Sequence, residues 1–336
     1  MLVTCAGILV VDLIAANLPK VSSPGELTYV PSGIKVHMGG HCGNVSIDLR
    51  KLGVEKGQVS ATGAVGKDIF GEFLRDLLEK HGVIAHLQRI SEAGTSKDLI
   101  LVVKGEDRRF HVDIGANRYL NPDYILGILR DEKPQVFYVG GVGLTETLDK
   151  HLSSVLRKAK EFGCITFVDP VKPFMHGWDF ITSSMRWIDI FHCNDDEVKE
   201  ITGEGNPGKA AISLREKGAN MVIVSRGERG LIAATEDAII EMPAFKVPVI
   251  DPTGAGDALC AGIIRGFLRI LDRRGWRMPD LSLERLTKVL LEGEAAGAAC
   301  VTMVGTTTAV TDDNVSRILN EQGEKILSRH VKIRHL

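Results

Sequence analysis

The chain has 336 residues, 44% hydrophobic and 25% charged, which excludes a disordered tract, a fibre and a mini-protein stapled by disulfides. Its 41 Lys and Arg against 43 Asp and Glu give a formal charge of −2, so no global field draws in nucleic acid or an anionic membrane. An anionic ligand must then be bound by local geometry.

From the N-terminus, the apolar run Cys5–Val11 is broken by Asp12 and is far too short to span a bilayer; it predicts a buried strand of a cytoplasmic protein. The six cysteines, Cys5, Cys42, Cys164, Cys193, Cys260 and Cys300, lack C-x-x-C spacing and read as buried, reduced thiols. Leu18–Val36 carries Pro, Gly and Ser between short extended stretches and predicts a hairpin. Gly39-Gly40-His41-Cys42-Gly43-Asn44 leads into a helix with Val45, Leu49 and Leu52 on one face. Gly63-Ala64-Val65-Gly66-Lys67-Asp68 fails as a P-loop, because the spacing before Gly66 is wrong and Asp68 stands where a magnesium-binding Ser or Thr belongs. Phe73, Leu74, Leu77 and Leu78 follow at helical spacing, and Lys97–Val112 holds two extended runs joined by Gly105-Glu106-Asp107.

Beyond these, Val136–Val139, Ile165–Val168, Ile188–Phe191 and Met221–Val224 read as buried strands, with Leu152, Val155, Leu156, Ala159 and Phe162 at helical spacing between the first two. Strand and helix alternating in this way imply a mostly parallel sheet covered by helices on both faces, with ligands at the carboxyl ends of the strands. Gly141-Val142-Gly143-Leu144-Thr145-Glu146 lacks the third glycine of a dinucleotide fingerprint. The segments 18–36 and 97–112 break the rhythm and predict a small sheet inserted in the core, lying over the active site or against a partner subunit. Arg109 and His111 read as a surface pair, and Trp178, Trp187 and Trp276 as packing residues. Arg329, His330, Lys332, Arg334 and His335 read as a solvated basic tail.

The segment Asp251-Pro252-Thr253-Gly254-Ala255-Gly256-Asp257 carries the chemistry. It follows an extended apolar stretch and precedes a helical pattern from Ala258 to about Leu271. Small residues at 254–256 let backbone N–H groups converge at a helix N-terminus, where a phosphate is favoured. Asp257 then stands where a transferred phosphoryl group and an incoming hydroxyl would meet, although an N-cap aspartate after a glycine turn has the same local sequence. Asp12 and Asn44 suit a polyol, since carboxylate and amide groups bond adjacent hydroxyls; taken singly, they equally fit a strand-end cap and a helix N-cap.

The order of these motifs resembles the ribokinase-like sugar kinases, the pfkB family, from about Gly7 to Val310. The resemblance rests on Asp12, Gly39-Gly40 with Asn44, the 63–71 glycine segment, Gly115-Ala116-Asn117, Asn194-Asp195-Asp196-Glu197, Ser225-Arg226-Gly227-Glu228-Arg229-Gly230 and the 251–257 loop. It implies a three-layer ribokinase-like α/β fold over 1–336, a single kinase domain with a small β-sheet lid. By that resemblance Asp257 is the base, Gly254, Ala255 and Gly256 form the anion hole, and Asp12, Gly40 and Asn44 contact the sugar. Asn194 and Glu197 position magnesium and phosphates, while Ser225, Gly227 and Gly230 belong to the nucleotide loop. Asp251, with the Thr253 and Gly305 carbonyls, is the candidate monovalent-cation (K+) site. The implied cofactors are ATP and Mg2+, and the implied partner is a second copy joined through the lid.

Two departures bear on the acceptor. His41 replaces the Lys that follows the paired glycines in members nearest ribokinase, and Val139-Gly140-Gly141 lacks their sugar-proximal Glu, so ribose is not assigned. The expected activity is transfer of the γ-phosphate of ATP to a hydroxyl of a small sugar or polyol. A nucleoside kinase of the same fold is the alternative, which an apolar cleft over the sugar site would favour; a non-catalytic binding regulator is the other, against which a retained Asp257 argues.

Overall fold

The protein is described by a computed structural model covering residues 1–106, 108–270 and 281–336. The expected helix end near Leu271, Trp276 and the turn residue Asp107 lie outside the described residues. The strands are β1 (Val3–Gly7), β2 (Val10–Leu18), β3 (Ile34–Gly39), β4 (Val59–Gly66), β5 (Ile84–Ile90), β6 (Lys97–Val103), β7 (Arg108–Asp113), β8 (Val136–Val142), β9 (Ile165–Pro170), β10 (Ile190–Asn194), β11 (Met221–Ser225), β12 (Leu231–Ala234), β13 (Ala238–Met242) and β14 (Lys332–His335). The helices are α1 (His41–Lys51), α2 (Ile69–Lys80), α3 (Pro122–Glu132), α4 (Glu146–Asp149), α5 (Leu152–Glu161), α6 (Asp179–Thr182), α7 (Asp195–Thr202), α8 (Pro207–Glu216), α9 (Ala255–Ile270), α10 (Leu283–Cys300), α11 (Asp312–Ile318) and α12 (Glu324–Arg329).

Ten strands form one sheet in the order β14-β13-β12-β11-β10-β9-β8-β1-β4-β5. From β5 to β11 neighbours run parallel, and β12, β13 and β14 close the other edge antiparallel. Helices pack on both faces because the central strands are apolar on both. One core joins Tyr138, Phe167 and Ile223 to Leu49, Leu74, Ile263 and Leu290; the other joins Phe137, Val168 and Phe191 to Ile125, Leu156 and Leu214. Trp178 and Trp187 pack against the second core.

A separate sheet, β3-β2-β6-β7, forms the lid. Its placement corrects the reading of the first hairpin: the strands are Val10–Leu18 and Ile34–Gly39, and most of 18–36 is their connection. The apolar run Cys5–Val11 is accordingly two strands in two sheets, because Ile8 and Leu9 turn the chain out of the core. That turn is held by Asn117, which accepts from the Leu9 N–H at 3.1 Å and donates to the Leu9 carbonyl at 3.0 Å. Asp68 does the corresponding work at β6, accepting from the Thr95 N–H at 2.8 Å while capping α2 through the Gly71 N–H at 2.9 Å. The basic tail is also corrected: Lys332–His335 has exposed side chains, but its backbone pairs with β13 as an edge strand.

Candidate active site

The carboxyl ends of β9, β10 and β11, the start of α9 and the inner face of the lid enclose a cleft of about 460 Å³. Asp12, Gly40, His41, Asn44, Asp98, Asp169, His192, Asn194, Glu197, Ser225, Thr253, Gly254, Gly256, Asp257 and Thr306 all line it. Segments from both ends and the middle of the chain therefore converge on one point.

Asp257 lies in the first turn of α9, which begins at Ala255 and not near Ala258. Its Oδ2 accepts from Asn44 Nδ2 at 2.8 Å, while its buried Oδ1 has no hydrogen bond and stands 4.0 Å from His41 Nε2. The capping alternative is thus excluded for Asp257. It is equally excluded for Asn44, which sits inside α1 after the cap residue Gly40, and for Asp12, which lies within β2. Burial raises the Asp257 carboxyl above its ordinary value, against the opposing pull of His41. Thr306 completes the Asn44 contact, its hydroxyl 2.9 Å from Asn44 Oδ1.

Gly254 adopts φ +80°, and a Cβ there would lie 2.8 Å from Thr306 Cβ, so only glycine fits this bend of the loop. Gly254 and Gly256 reach the cleft with N–H groups that no acceptor among the described residues takes up. The Ala255 N–H instead donates to the Pro252 carbonyl at 3.3 Å, which reduces the expected three amides to two.

Behind Asp257 lies a buried pair that the sequence reading missed. Asp169 Oδ1 meets His192 Nδ1 at 2.8 Å, and its Oδ2 accepts from the Tyr138 hydroxyl at 2.8 Å and the Cys260 thiol at 3.5 Å. Burial disfavours both charges, but their attraction prevails, leaving Asp169 below and His192 above its ordinary value. Asp169-Pro170 at the end of a predicted strand was the available signal, because ligands gather at such ends.

Asn194 and Glu197 form a capping box at α7. The Asn194 side chain accepts from the Glu197 N–H at 2.8 Å and Glu197 Oε2 from the Asn194 N–H at 2.9 Å, leaving Oε1 for a ligand. Ser225 ends β11 in the cleft, whereas Gly227 and Gly230 shape the turn beyond it and do not line the cleft. Asp251, Thr253 and Gly305 do come together, yet around hydrogen bonds instead of converging carbonyls. Gly305 offers its N–H to Asp251 Oδ2 at 3.1 Å, the Thr253 carbonyl accepts the Cys300 thiol at 3.3 Å, and lid Arg108 pairs with both Asp251 and the Thr253 hydroxyl. Arg109 pairs with Glu106 on the lid surface, as expected of it.

Residues 2–313 match the pfkB family carbohydrate kinase profile. The chain belongs to that family. Fructokinase-2 of Oryza sativa subsp. japonica is 30% identical over 303 residues, covering 84% of this chain and 86% of that protein. Aminoimidazole riboside kinase of Salmonella typhimurium is 28% identical over 282 residues, 81% of this chain and 84% of that one. A crystal structure of fructokinase with bound ATP from Xylella fastidiosa superposes with a TM-score of 0.80 at 22% identity, covering 96% and 98% of the two chains. As a pfkB protein, this chain is an ATP-dependent carbohydrate kinase with the ribokinase-like fold. Among the described residues no helix is long and apolar enough to cross a membrane, and all six cysteines are buried and unpaired.

Proposed function

We propose that the protein transfers the γ-phosphate of ATP to a hydroxyl of a small sugar or polyol, with Asp257 as general base. The observation that carries this is Asp257 Oδ1, a desolvated carboxylate oxygen that no hydrogen bond takes up, beside the open N–H groups of Gly254 and Gly256. Asn44 holds the other oxygen, so Oδ1 is presented to the acceptor, and the two amides receive charge developing on the transferred group.

Glu197 Oε1 and the Asn194 side chain would hold magnesium through its waters, a hard-oxygen donor set that suits this ion. Magnesium bound there would neutralise phosphate charge. Ser225 would meet the nucleotide, and Gly227 and Gly230 would support it by shaping the turn. The Asp251 site fits a monovalent cation poorly, because Arg108 already supplies its positive charge.

A nucleoside acceptor is the second reading, favoured by Ile100, Phe110 and Val112, which give the lid an apolar face toward the cleft. On the outer face Ile34, Val36 and Leu99 are 62%, 45% and 41% exposed, which supports pairing of two lids in a homodimer; sedimentation at micromolar concentration tests it, a strict monomer counting against. The function itself is tested by ADP release from ATP and Mg2+ across sugars, polyols and nucleosides. Acceptor-dependent release is expected, and its absence throughout would remove the reading.

A further inference from the structure

The lid's inner face narrows the acceptor, on the basis of the kinase reading. Asp12 and Asp98 are direct register partners on the parallel strands β2 and β6, so their side chains stand next to each other on the same face, roughly 4.8 Å apart at the backbone. They are only 6% and 8% exposed and both line the cleft. Asp12 lies so close to Gly39 that a Cβ there would come within 2.3 Å of Asp12 Oδ1. Among the described residues Asp12 has no hydrogen-bond partner, and Asp98 has one, the His111 N–H at 3.0 Å on Oδ1. Burying two carboxylates with one donor between them is costly, and a ligand rich in donors would offset that cost.

The surrounding charges do not answer them. His37, opposite Asp12 on β3, is held below its ordinary value by burial and then by Lys35, so it is neutral near pH 7. Lys97 is engaged with Asp113, Arg108 with Asp251, and His41 faces Asp257. Among the described residues no Lys or Arg lines the cleft. Burial, followed by Asp98, moves the Asp12 carboxyl up to about 7.

We infer that Asp12 and Asp98 form a paired-carboxylate subsite that takes a donor-rich acceptor free of anionic groups, and that Asp98 is the residue that sets this specificity. A phosphate or carboxylate on the acceptor would face the Asp12 and Asp98 carboxyl groups with no Lys or Arg beside them, since His41 and His192 are engaged with Asp257 and Asp169, and that juxtaposition disfavours binding.

The test is ADP release at pH 7 with neutral sugars, polyols and nucleosides, each run beside its phosphate ester or sugar acid, for the wild type and Asp98→Asn. The asparagine keeps an oxygen for the His111 N–H and so preserves the β6–β7 contact. In the wild type, kcat/KM for the best neutral acceptor should exceed that for its anionic counterpart by at least about a hundredfold. In Asp98→Asn the acceptor KM should rise about tenfold or more while the KM for ATP holds, and discrimination against the anionic counterpart should relax. An anionic acceptor used as well as its neutral counterpart, or an Asp98→Asn enzyme with unchanged acceptor KM and discrimination, overturns the inference and leaves the kinase reading intact. Silence of the whole panel removes both.

Discussion

On the core wall of the cleft, Asp169 bonds to Tyr138, His192 and Cys260, while Asn44 alone bonds to Asp257, whose Oδ1 is the oxygen left over. On the lid wall, Asp98 has a single backbone donor and Asp12 none among the described residues. The two walls solve different problems. Phosphoryl transfer demands fixed dipoles and a base held at one point, which a saturated network preorganises. Recognition of the acceptor needs groups left open for the ligand, carried on a small sheet whose residues change without disturbing the core.

The largest effect that could break this contrast belongs to Asp257→Asn. Asparagine keeps an oxygen for Asn44 but removes the proton acceptor, so kcat should fall by about 10²–10⁴ with the melting temperature and ATP binding retained. Near-normal turnover on the true acceptor would leave the core wall without a base.

On the lid wall the damage should appear in affinity instead. Asp12→Ala is expected to raise the acceptor KM about ten- to a hundredfold, the loss of a charged hydrogen bond, with the KM for ATP little changed. Equal damage to both constants would show that the walls do not divide the work.

A smaller effect of opposite sign sharpens the same comparison. The Asp12 carboxyl is raised from 3.8 to about 7, so between these values the unfolded chain has lost a proton that the folded one keeps. Stability therefore falls as pH rises from about 4 to about 7 and stays level above. Asp12→Asn removes that penalty, and thermal melts should find it more stable than wild type at pH 8, by at most about 4 kcal/mol, with little gain at pH 4. A loss of stability at pH 8 would mean that Asp12 has partners in the folded lid.

The smallest expectation is no change at all. Because Arg108 neutralises Asp251, exchanging K+ for Na+ should leave turnover as it was. Activation specific to K+ would show that Arg108 yields its place to a cation.

On the core wall, the 251–257 loop is legible in the chain because its signals are local. A glycine loop between an extended run and a helical pattern specifies where amides and a carboxylate meet, and hydrophobic periodicity specifies a helix-covered parallel sheet around it. The lid is half legible: breaks in periodicity mark its neighbourhood, but β2 reads as the end of β1. Both strands are apolar and only two residues separate them, so the turn at Ile8 and Leu9 depends on Asn117, more than a hundred residues away.

Other partnerships are decided only in three dimensions. Asp98 is one polar position in an extended run, and register alone sets it beside Asp12. His192 within an apolar strand gives no sign of Asp169, 23 residues earlier, because strand order and not sequence spacing brings them to 2.8 Å. Arg108 acquires a role only where the lid meets the 251–257 loop. Fold class, family and the phosphate-handling loop are written into the chain as short-range motifs and hydrophobic periodicity, each of which a few neighbouring residues carry. Which carboxylates stand free and which are paired follows instead from desolvation and from contact across distant elements, which arise only when the chain has folded.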